Sequence, residues 1–426
     1  MQTKHLGNVG ITVLALVNMG VWLIFPAANN GRPDFMNQVY GEMLSSTAMV
    51  LMGCAFILAL RPRVLEPYFG GLDKMYISHK NTAITGMIVI YVHTFTVPII
   101  DKASIGAQLG AITWTGLLVL VLLALAPRIP FVGGYLRLAY HHWRWTHKFI
   151  GAFYILGVLH SLLVPNVIQT TLIPHLYLRF FNLIGSAAYL YKELIAPFVG
   201  PPHNHVVEAA RKLNGTTIEV TLKPKGAKPR QTAGQFMFVS FAKDSGLTEP
   251  HPFTVSSAPQ EGNFRLSIKA SGDWTRQLVE TLRPGTQARV DGCYGMFNYK
   301  TGGPQQIWIA GGIGITPFLS WVRDFNGEPQ PEIDFFYTVR SEADALFWDE
   351  MQAAAQKYTR FRAHLTVSSK EGSLSTHKIV ANITGKLAEK HVYLCGPLPM
   401  TEAFRKQFRR EGVPAGNIYF EEFNFR

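Results

Sequence analysis

Six apolar runs in the first 200 residues limit what this chain can fold into. They lie at approximately residues 7–26, 37–60, 80–100, 107–126, 147–166 and 174–196, and each is long enough to cross a bilayer as a helix. The rest of the 426 residues reads like a soluble α/β protein, so more than one domain is expected. The first run has no small-residue cleavage pattern after a short core, and further spans follow it. It reads as a retained helix and not as a signal peptide. Lys4, Arg61, Arg63, Lys74, Lys80, Arg128, Arg137, Arg144, Lys148 and Lys192 fall at the N-terminus, between spans two and three, between spans four and five, and after span six. The opposite loops hold little beyond Arg32 and Lys102, each near an aspartate, Asp34 and Asp101. This bias predicts a multi-pass protein of the plasma membrane with both termini in the cytoplasm. It also accounts for part of the net charge of +12. No basic–aromatic platform accompanies that charge, so nucleic acid is not an expected partner.

Two of the spans carry paired histidines, His79 with His93 and His147 with His160. Separations of fourteen and thirteen residues place the members of each pair about 20 Å apart along a helix. That is too far for both to hold one iron and suits two irons at different depths. Imidazole is a common axial ligand of haem iron, and histidine is scarce in lipid unless it works there. Spans three and five run the same way, so like depths pair: His79 with His147 toward the cytoplasm, His93 with His160 toward the outer face. Two b-type haems are expected, since no CxxCH attachment motif exists. Fourteen residues leave His79 and His93 about 40° apart around an ideal helix, whereas thirteen leave His147 and His160 about 140° apart. The second helix is therefore deformed, for example by a π-bulge, or its two rings reach around different sides. His141 and His142, in HHWRW, read as contacts to headgroups or to a haem edge. Phe153, midway between His147 and His160, either fills the gap between haems or packs in the core.

The three cysteines, Cys54, Cys293 and Cys395, form no CxxC pair. This excludes a cysteine-ligated iron–sulfur cluster or zinc ribbon within the chain and fits a soluble part facing a reducing cytosol.

PFVGPPHNH, residues 197–205, is a proline-rich break. Beyond it come short strands, TIEVTL, GQFMFVSF, NFRLSIKA and ARVDG, separated by turn residues as in a small antiparallel barrel. After about residue 304 the pattern alternates strand and helix, which argues a parallel dinucleotide-binding sheet. The expected domains are 1–200, 201–303 and 304–426. In GDWTRQLVETL, Gly272 and Trp274 flank Asp273, and Asp273 and Thr275 open an amphipathic helix. Its free amides suit a phosphate, or the motif is a plain helix cap. Lys269 adds charge just upstream. In AGGIGITP, Gly311, Gly312 and Gly314 let the backbone approach a pyrophosphate, Thr316 can donate a hydrogen bond, and Pro317 suits the first helical turn. Cys395 ends a strand before Gly396 and Pro397, and no histidine base accompanies it in the motif.

HPFTVSSAP (251–259), IKASGDWT (268–275), AGGIGITP (310–317), CGP (395–397) and EEF (421–423) occur in that order and resemble the ferredoxin–NADP reductase superfamily. HPFT and GDWT, joined to six spans with paired histidines, resemble the NADPH oxidase and ferric reductase family. The resemblance covers nearly the whole chain. It implies an all-α six-helix transmembrane haem bundle, an antiparallel β-barrel FAD domain and an α/β Rossmann-like NADP-binding domain. It further implies that the HPFT residues (His251, Pro252, Phe253, Thr254) bind FAD, with Thr254 near the flavin's N5 and His251 beside the pyrophosphate. Arg340 would meet the 2′-phosphate of NADPH, with Glu342 and Asp344 nearby leaving NADH open. Cys395, Gly396 and Pro397 would lie against the nicotinamide, and Phe423, or Phe425, would cover the flavin ring. NADPH would pass electrons through FAD and two haems to O2, giving superoxide, or to a ferric chelate. Arg32, His175 and Arg179 are candidates to hold an anionic oxygen species or a haem propionate. Val97 stands one turn beyond His93, where an oxidase often has a second histidine. A complete nucleotide-binding half argues against a haem sensor or a mere electron-transfer subunit, and no protein partner is required.

Overall fold

A helix in hydrocarbon satisfies every backbone N–H and C=O within itself, and the apolar runs fold accordingly. The computed structural model describes residues 3–98, 101–126, 140–199, 204–329 and 331–421, and of residues 140 and 141 it describes the backbone. The chain forms two compact units, residues 1–70 with 74–200 and residues 71–73 with 201–426. In the first, helices run over Leu6–Ile24 (α1), Phe35–Ala59 (α2), Leu72–Thr96 (α3), Ile105–Leu125 (α4), Tyr140–Leu163 (α5) and Leu172–Leu190 (α6). Helix α3 starts eight residues before its apolar run and α5 seven before, because polar residues extend a helix without adding apolar signal. Among the described residues four helices, Leu6–Ile24, Phe35–Ala59, Ile105–Leu125 and His142–Leu163, are long and apolar enough to cross a membrane. Helices α3 and α6 fall short of that hydropathy. The residues that dilute them are Asp73, Lys74, His79, Lys80 and His93 on α3, and His175, Arg179 and Asn182 on α6.

Glycine brings α4 and α5 together. A methyl at Gly110 would stand 2.7 Å from the His160 ring, and one at Gly116 would stand 2.1 Å from the Phe153 ring. Small residues are what allow helices to approach this closely where no hydrophobic force drives them together. Between α1 and α2 the link is polar. Asn18 Nδ2 donates to Ser46 Oγ and Thr47 Oγ1 at 2.9 Å each, and Trp22 Nε1 donates to Ser46 Oγ at 3.0 Å.

The second unit holds two sheets. The first contains β1 (His205–Asn214), β2 (Thr217–Pro224), β3 (Phe236–Phe241), β4 (His251–Thr254), β5 (Phe264–Lys269) and β6 (Gln287–Tyr294), in the order β4-β3-β6-β1-β2-β5. Every pair in it is antiparallel. The residue after β4 returns to β5 through a bridge between Val255 and Leu266. Two of these strands, β1 and β4, were not among the segments legible as strands. HVVEAARKLN is rich in helix formers, and HPFT is short and contains proline; pairing with β2 and β3 overrides both. Helix α7 (Asp273–Thr281) lies between β5 and β6.

The second sheet is parallel: β7 (Gln305–Gly311), β8 (Glu332–Val339), β9 (Phe361–Val367), β10 (His391–Cys395) and β11 (Ile418–Phe420), in the order β11-β10-β7-β8-β9. Helices α8 (Thr316–Arg323), α9 (Trp348–Lys357) and α10 (Leu398–Arg410) connect its strands. Trp308, Phe318, Trp321, Phe335 and Phe361 fill its core. Trp321 also ties the two sheets' lobes together: its Nε1 donates to the Ala233 carbonyl at 3.0 Å, while Ser320 Oγ donates to the Ser257 carbonyl at 2.8 Å. Trp321→Phe should leave a buried carbonyl unpaired and cost about 2 kcal/mol. Thermal unfolding of the purified chain, followed by intrinsic fluorescence, should show a lowered midpoint.

Candidate functional site

The two units carry separate candidate sites. In the helical unit, His79 Nδ1 lies 2.8 Å from the Ala55 carbonyl oxygen and His93 Nδ1 lies 2.8 Å from that of Gly41, both on α2. The acceptors are spaced like the histidines, so α2 and α3 run antiparallel in constant register. A carbonyl oxygen can only accept, so Nδ1 carries the proton and Nε2 keeps its lone pair for a metal. His160 Nδ1 makes the same contact with the Gly106 carbonyl on α4, again at 2.8 Å. His147 Nδ1 is buried with no partner, and its ring stacks on Trp143 at 5.1 Å. The rings of His79 and His147 have centroids 6.3 Å apart. With metal–imidazole bonds of about 2 Å, two rings ligating one iron from opposite sides have centres about 6 Å apart.

Helix α5 stays α-helical from Tyr140 to Leu163, so a π-bulge does not reconcile its two histidines. Its rings reach different neighbours instead, His147 toward α3 and His160 toward α4. A π-helical turn is present, but at Tyr191–Ile195 after α6. Phe153 packs in the bundle core against Gly116. The His142 side chain is exposed, and that of His141 lies outside the described residues. Arg32 is taken up by a bidentate contact with Asp34, at 2.8 and 2.7 Å, so it is not a free cation for an anionic ligand. Arg179 donates to Ser161 Oγ at 2.9 Å and to the Ser161 carbonyl at 3.2 Å. Its Nε and His175 Nδ1, one turn away, are buried without partners.

Among the described residues no group of three or more His, Cys, Asp or Glu could hold a metal ion. A pair of imidazoles suffices only where the equatorial ligands arrive with the metal, as in a porphyrin. Haem therefore fits this donor set and a bare ion does not.

In the parallel sheet the chain moves from β7 outward to β8 and β9, then returns to β10 on the other side of β7. Such a switch point opens a crevice at the carboxyl ends of the two strands, the usual ligand position in α/β sheets. Here those ends are AGGIGITP and CGP. Gly314 and Gly311 are packed against the second loop: added methyls would stand 2.4 Å from the Cys395 carbonyl oxygen and 2.9 Å from the Pro397 ring. Only Gly312, at φ +52°, faces open space. Thr316 Oγ1 donates to the Ile313 carbonyl at 3.2 Å, and Pro317 is buried in the first turn of α8. Gly396 has φ +158° and packs against Gly311. Burial, with the Glu421 carboxylate, pushes the Cys395 thiol well above its ordinary pKa, so it meets a ligand as a neutral thiol. Arg340 follows β8 with an exposed side chain. Its acidic neighbours are engaged elsewhere, Glu342 with Lys370 at 2.6 Å and Asp344 with the Ser341 hydroxyl at 2.7 Å.

In the antiparallel lobe, HPFT is β4, with Thr254 buried opposite Phe236. Trp274 of GDWT gathers the motifs: its ring lies 4.1 Å from that of His251 and 5.9 Å from that of Phe253, and its Nε1 is buried without a partner. Thr275 Oγ1 accepts from the Ser271 and Gly272 amides, both at 2.9 Å, so this side chain caps its own helix. Asp273 is fully exposed and pairs with Arg276 at 2.6 Å. Lys269 Nζ lies 3.9 Å from Asp344 Oδ1. The aromatic strip and the orphaned indole N–H suit a flat, acceptor-rich ligand. Phe423 and Phe425 lie outside the described residues.

Comparison with known proteins bears on both lobes. Residues 204–306 match an FAD-binding domain, and residues 308–406 match an oxidoreductase NAD-binding domain. NADPH oxidase 1 of Mus musculus is 25% identical over 281 residues, which cover 54% of this chain and 46% of that protein. The second unit thus carries FAD-binding and NAD-binding oxidoreductase domains and is similar to NADPH oxidases. NADPH oxidase 3 of Rattus norvegicus is 34% identical over 187 residues, covering 39% of this chain and 32% of the relative. The reductase component of the naphthalene 1,2-dioxygenase/salicylate 5-hydroxylase systems of a Ralstonia species is 26% identical over 237 residues, covering 51% and 71%. The matched stretches span less than half the length of the two oxidases. Within the NAD-binding domain, the two glycine roles separate cleanly by substitution. Gly314→Ala should displace the loop after β10 and raise KM for nucleotide at least tenfold. Gly312→Ala should cost only the left-handed backbone strain, about 1 kcal/mol. Steady-state nucleotide oxidation and thermal unfolding of both variants check this.

Proposed function

We propose that this chain moves electrons from cytosolic NADPH, by way of FAD and two b haems, across the plasma membrane to O2 on the outer side, yielding superoxide. The observation that carries the reading is the 6.3 Å separation of the His79 and His147 rings, together with the shared Nδ1 anchoring of His79, His93 and His160. When bound, a flavin accepts a hydride from a nicotinamide and releases electrons singly, and haem iron relays them one at a time. All six long helices cross the membrane in this reading, α3 and α6 with their polar residues turned into the bundle, and both termini are cytoplasmic. The domains are 1–200, 201–303 and 304–426, and the Val255–Leu266 bridge supports a closed barrel for the middle one.

The residues have these roles. His79 with His147, and His93 with His160, would hold the irons. The HPFT strand with Trp274 would seat the flavin, and Thr254 would face its reactive edge. The backbone at Gly312 would approach the nucleotide pyrophosphate, and Cys395, Gly396 and Pro397 would floor the nicotinamide site. Arg340 would bind the 2′-phosphate, since a guanidinium fork suits a phosphate dianion and its acidic neighbours are already paired. The chain leaves β11 at the carboxyl end of the sheet, parallel to β10, which supports Phe423 as the ring that covers the flavin. Ferric-chelate reduction is the second reading, favoured by Val97 in place of a second histidine.

Pyridine haemochrome assay of the purified chain should give about two haems per flavin. His93→Leu should remove one haem and abolish acceptor reduction while NADPH still reduces the flavin; normal acceptor reduction by that variant would sink the path. Superoxide yield measured beside ferric-chelate reduction decides the acceptor. Arg340→Ala should raise KM for NADPH at least tenfold more than for NADH; equal effects would make Arg340 structural. Phe423→Ser should change nucleotide affinity with haem content unchanged, and a larger effect from Phe425→Ser would transfer the role to Phe425.

A further inference from the structure

The Glu42 carboxylate has no part in that scheme, yet it is among the most buried acids of the helical unit, 8% exposed on α2. Oε1 accepts from the Val167 amide at 2.9 Å and from Gln38 Nε2 at 3.0 Å, and Oε2 accepts from the Ile168 amide at 2.9 Å. Both backbone donors belong to the turn that follows α5, where a short 3-10 helix runs over Ile168–Thr170. Glu42 therefore fastens the segment after α5 to α2. It does so one residue beyond Gly41, whose carbonyl takes the His93 Nδ1 proton.

The other end of the same segment meets the other anchor. At Gly106, whose carbonyl takes the His160 Nδ1 proton, an added methyl would stand 2.8 Å from Val164 Cγ1 and 2.9 Å from the Leu163 carbonyl carbon. Asn166 Nδ2 holds the bend between the two ends, donating to the Ser161 and Val164 carbonyls at 2.9 and 3.0 Å. Residues 163–168 thus form a strap. One end presses on the carbonyl anchor of His160, and the other is hydrogen-bonded beside the carbonyl anchor of His93. Among the described residues no such strap serves His147, whose Nδ1 has no partner.

We propose that Glu42 is a positioning residue for the His93–His160 pair. By locking residues 167 and 168 to α2 it sets the separation of the Gly41 and Gly106 carbonyls, and through them the separation of the two imidazoles. This rests on the reading that these histidines share a haem. Breaking the lock leaves two buried amides and a buried carboxamide without their acceptor, in surroundings where little water can replace it. The strap then loses its grip on α2, and the two ligands lose their common spacing. His79 is anchored at Ala55, thirteen residues along α2 from Glu42, and the His79–His147 pair is unaffected.

The test uses the full-length chain purified with its haems, read by haemochrome assay and by the low-spin signals in electron paramagnetic resonance. The wild type should show two haems and two low-spin signals; a count of one fails the functional reading itself, independently of Glu42. Glu42→Ala should lose one low-spin signal and keep the other. Glu42→Gln, with one acceptor oxygen for two amides, should alter that same signal less. Two wild-type signals in Glu42→Ala overturn the proposal, as does equal damage to both signals. Should Glu42→Ala not accumulate, Glu42→Gln decides alone: one altered signal supports the clamp, and two unaltered signals overturn it.

Discussion

The hydrogen bond from an imidazole Nδ1 to a helix carbonyl organises the membrane half of this protein. Each such bond is worth only about 1 kcal/mol net, so its importance lies in direction and not in stability. It fixes which nitrogen carries the proton, holds the ring's orientation, and leaves the remaining lone pair on Nε2. His79 and His93 find their acceptors on α2 at Ala55 and Gly41, and the fourteen-residue spacing repeats on both helices. Antiparallel helices with matched spacing keep both contacts in phase without distortion. Helix α5 carries thirteen residues between its histidines, cannot keep phase with one neighbour, and serves two.

Glycine makes these contacts possible. Gly41 and Gly106 supply the accepting carbonyls, and Gly110 leaves the space the His160 ring fills. The same principle recurs in the parallel sheet, where Gly311 and Gly314 let the loop after β7 lie against the loop after β10. At each place a neighbouring group approaches more closely than any Cβ permits. A glycine-rich signature in this chain is thus largely a packing requirement between loops, and only Gly312 keeps an open face.

The histidine pairs, the strand–glycine–helix turn and the GDWT helix were all legible because their chemistry is local. Spacing, capping and chain direction are short-range properties, and the structure keeps them. Other parts could not be read this way. β1 carries helix-forming residues and becomes a strand because β2 and β6 pair with it. Thr275 looks like a phosphate ligand in isolation, but its hydroxyl is taken by the amides of Ser271 and Gly272. Arg32 looks available until Asp34 meets it with both oxygens. Glu42, inside an apolar run, gave no hint of its backbone partners, which lie 125 and 126 residues away.

The amino-acid sequence by itself determined the inventory: helical runs, four histidines carried on two of them, and nucleotide-binding motifs in a set order. Periodicity and composition suffice for that, since they act within a few residues along the chain. The tertiary structure alone decided which nitrogen each histidine presents, which ring faces which, where the switch point falls and which polar side chains are already spent. Those outcomes depend on atoms distant in the chain meeting at 3 Å or less, as in the contact of His93 with Gly41 at 2.8 Å. No local pattern encodes such a meeting; it exists only once the helices and strands are packed.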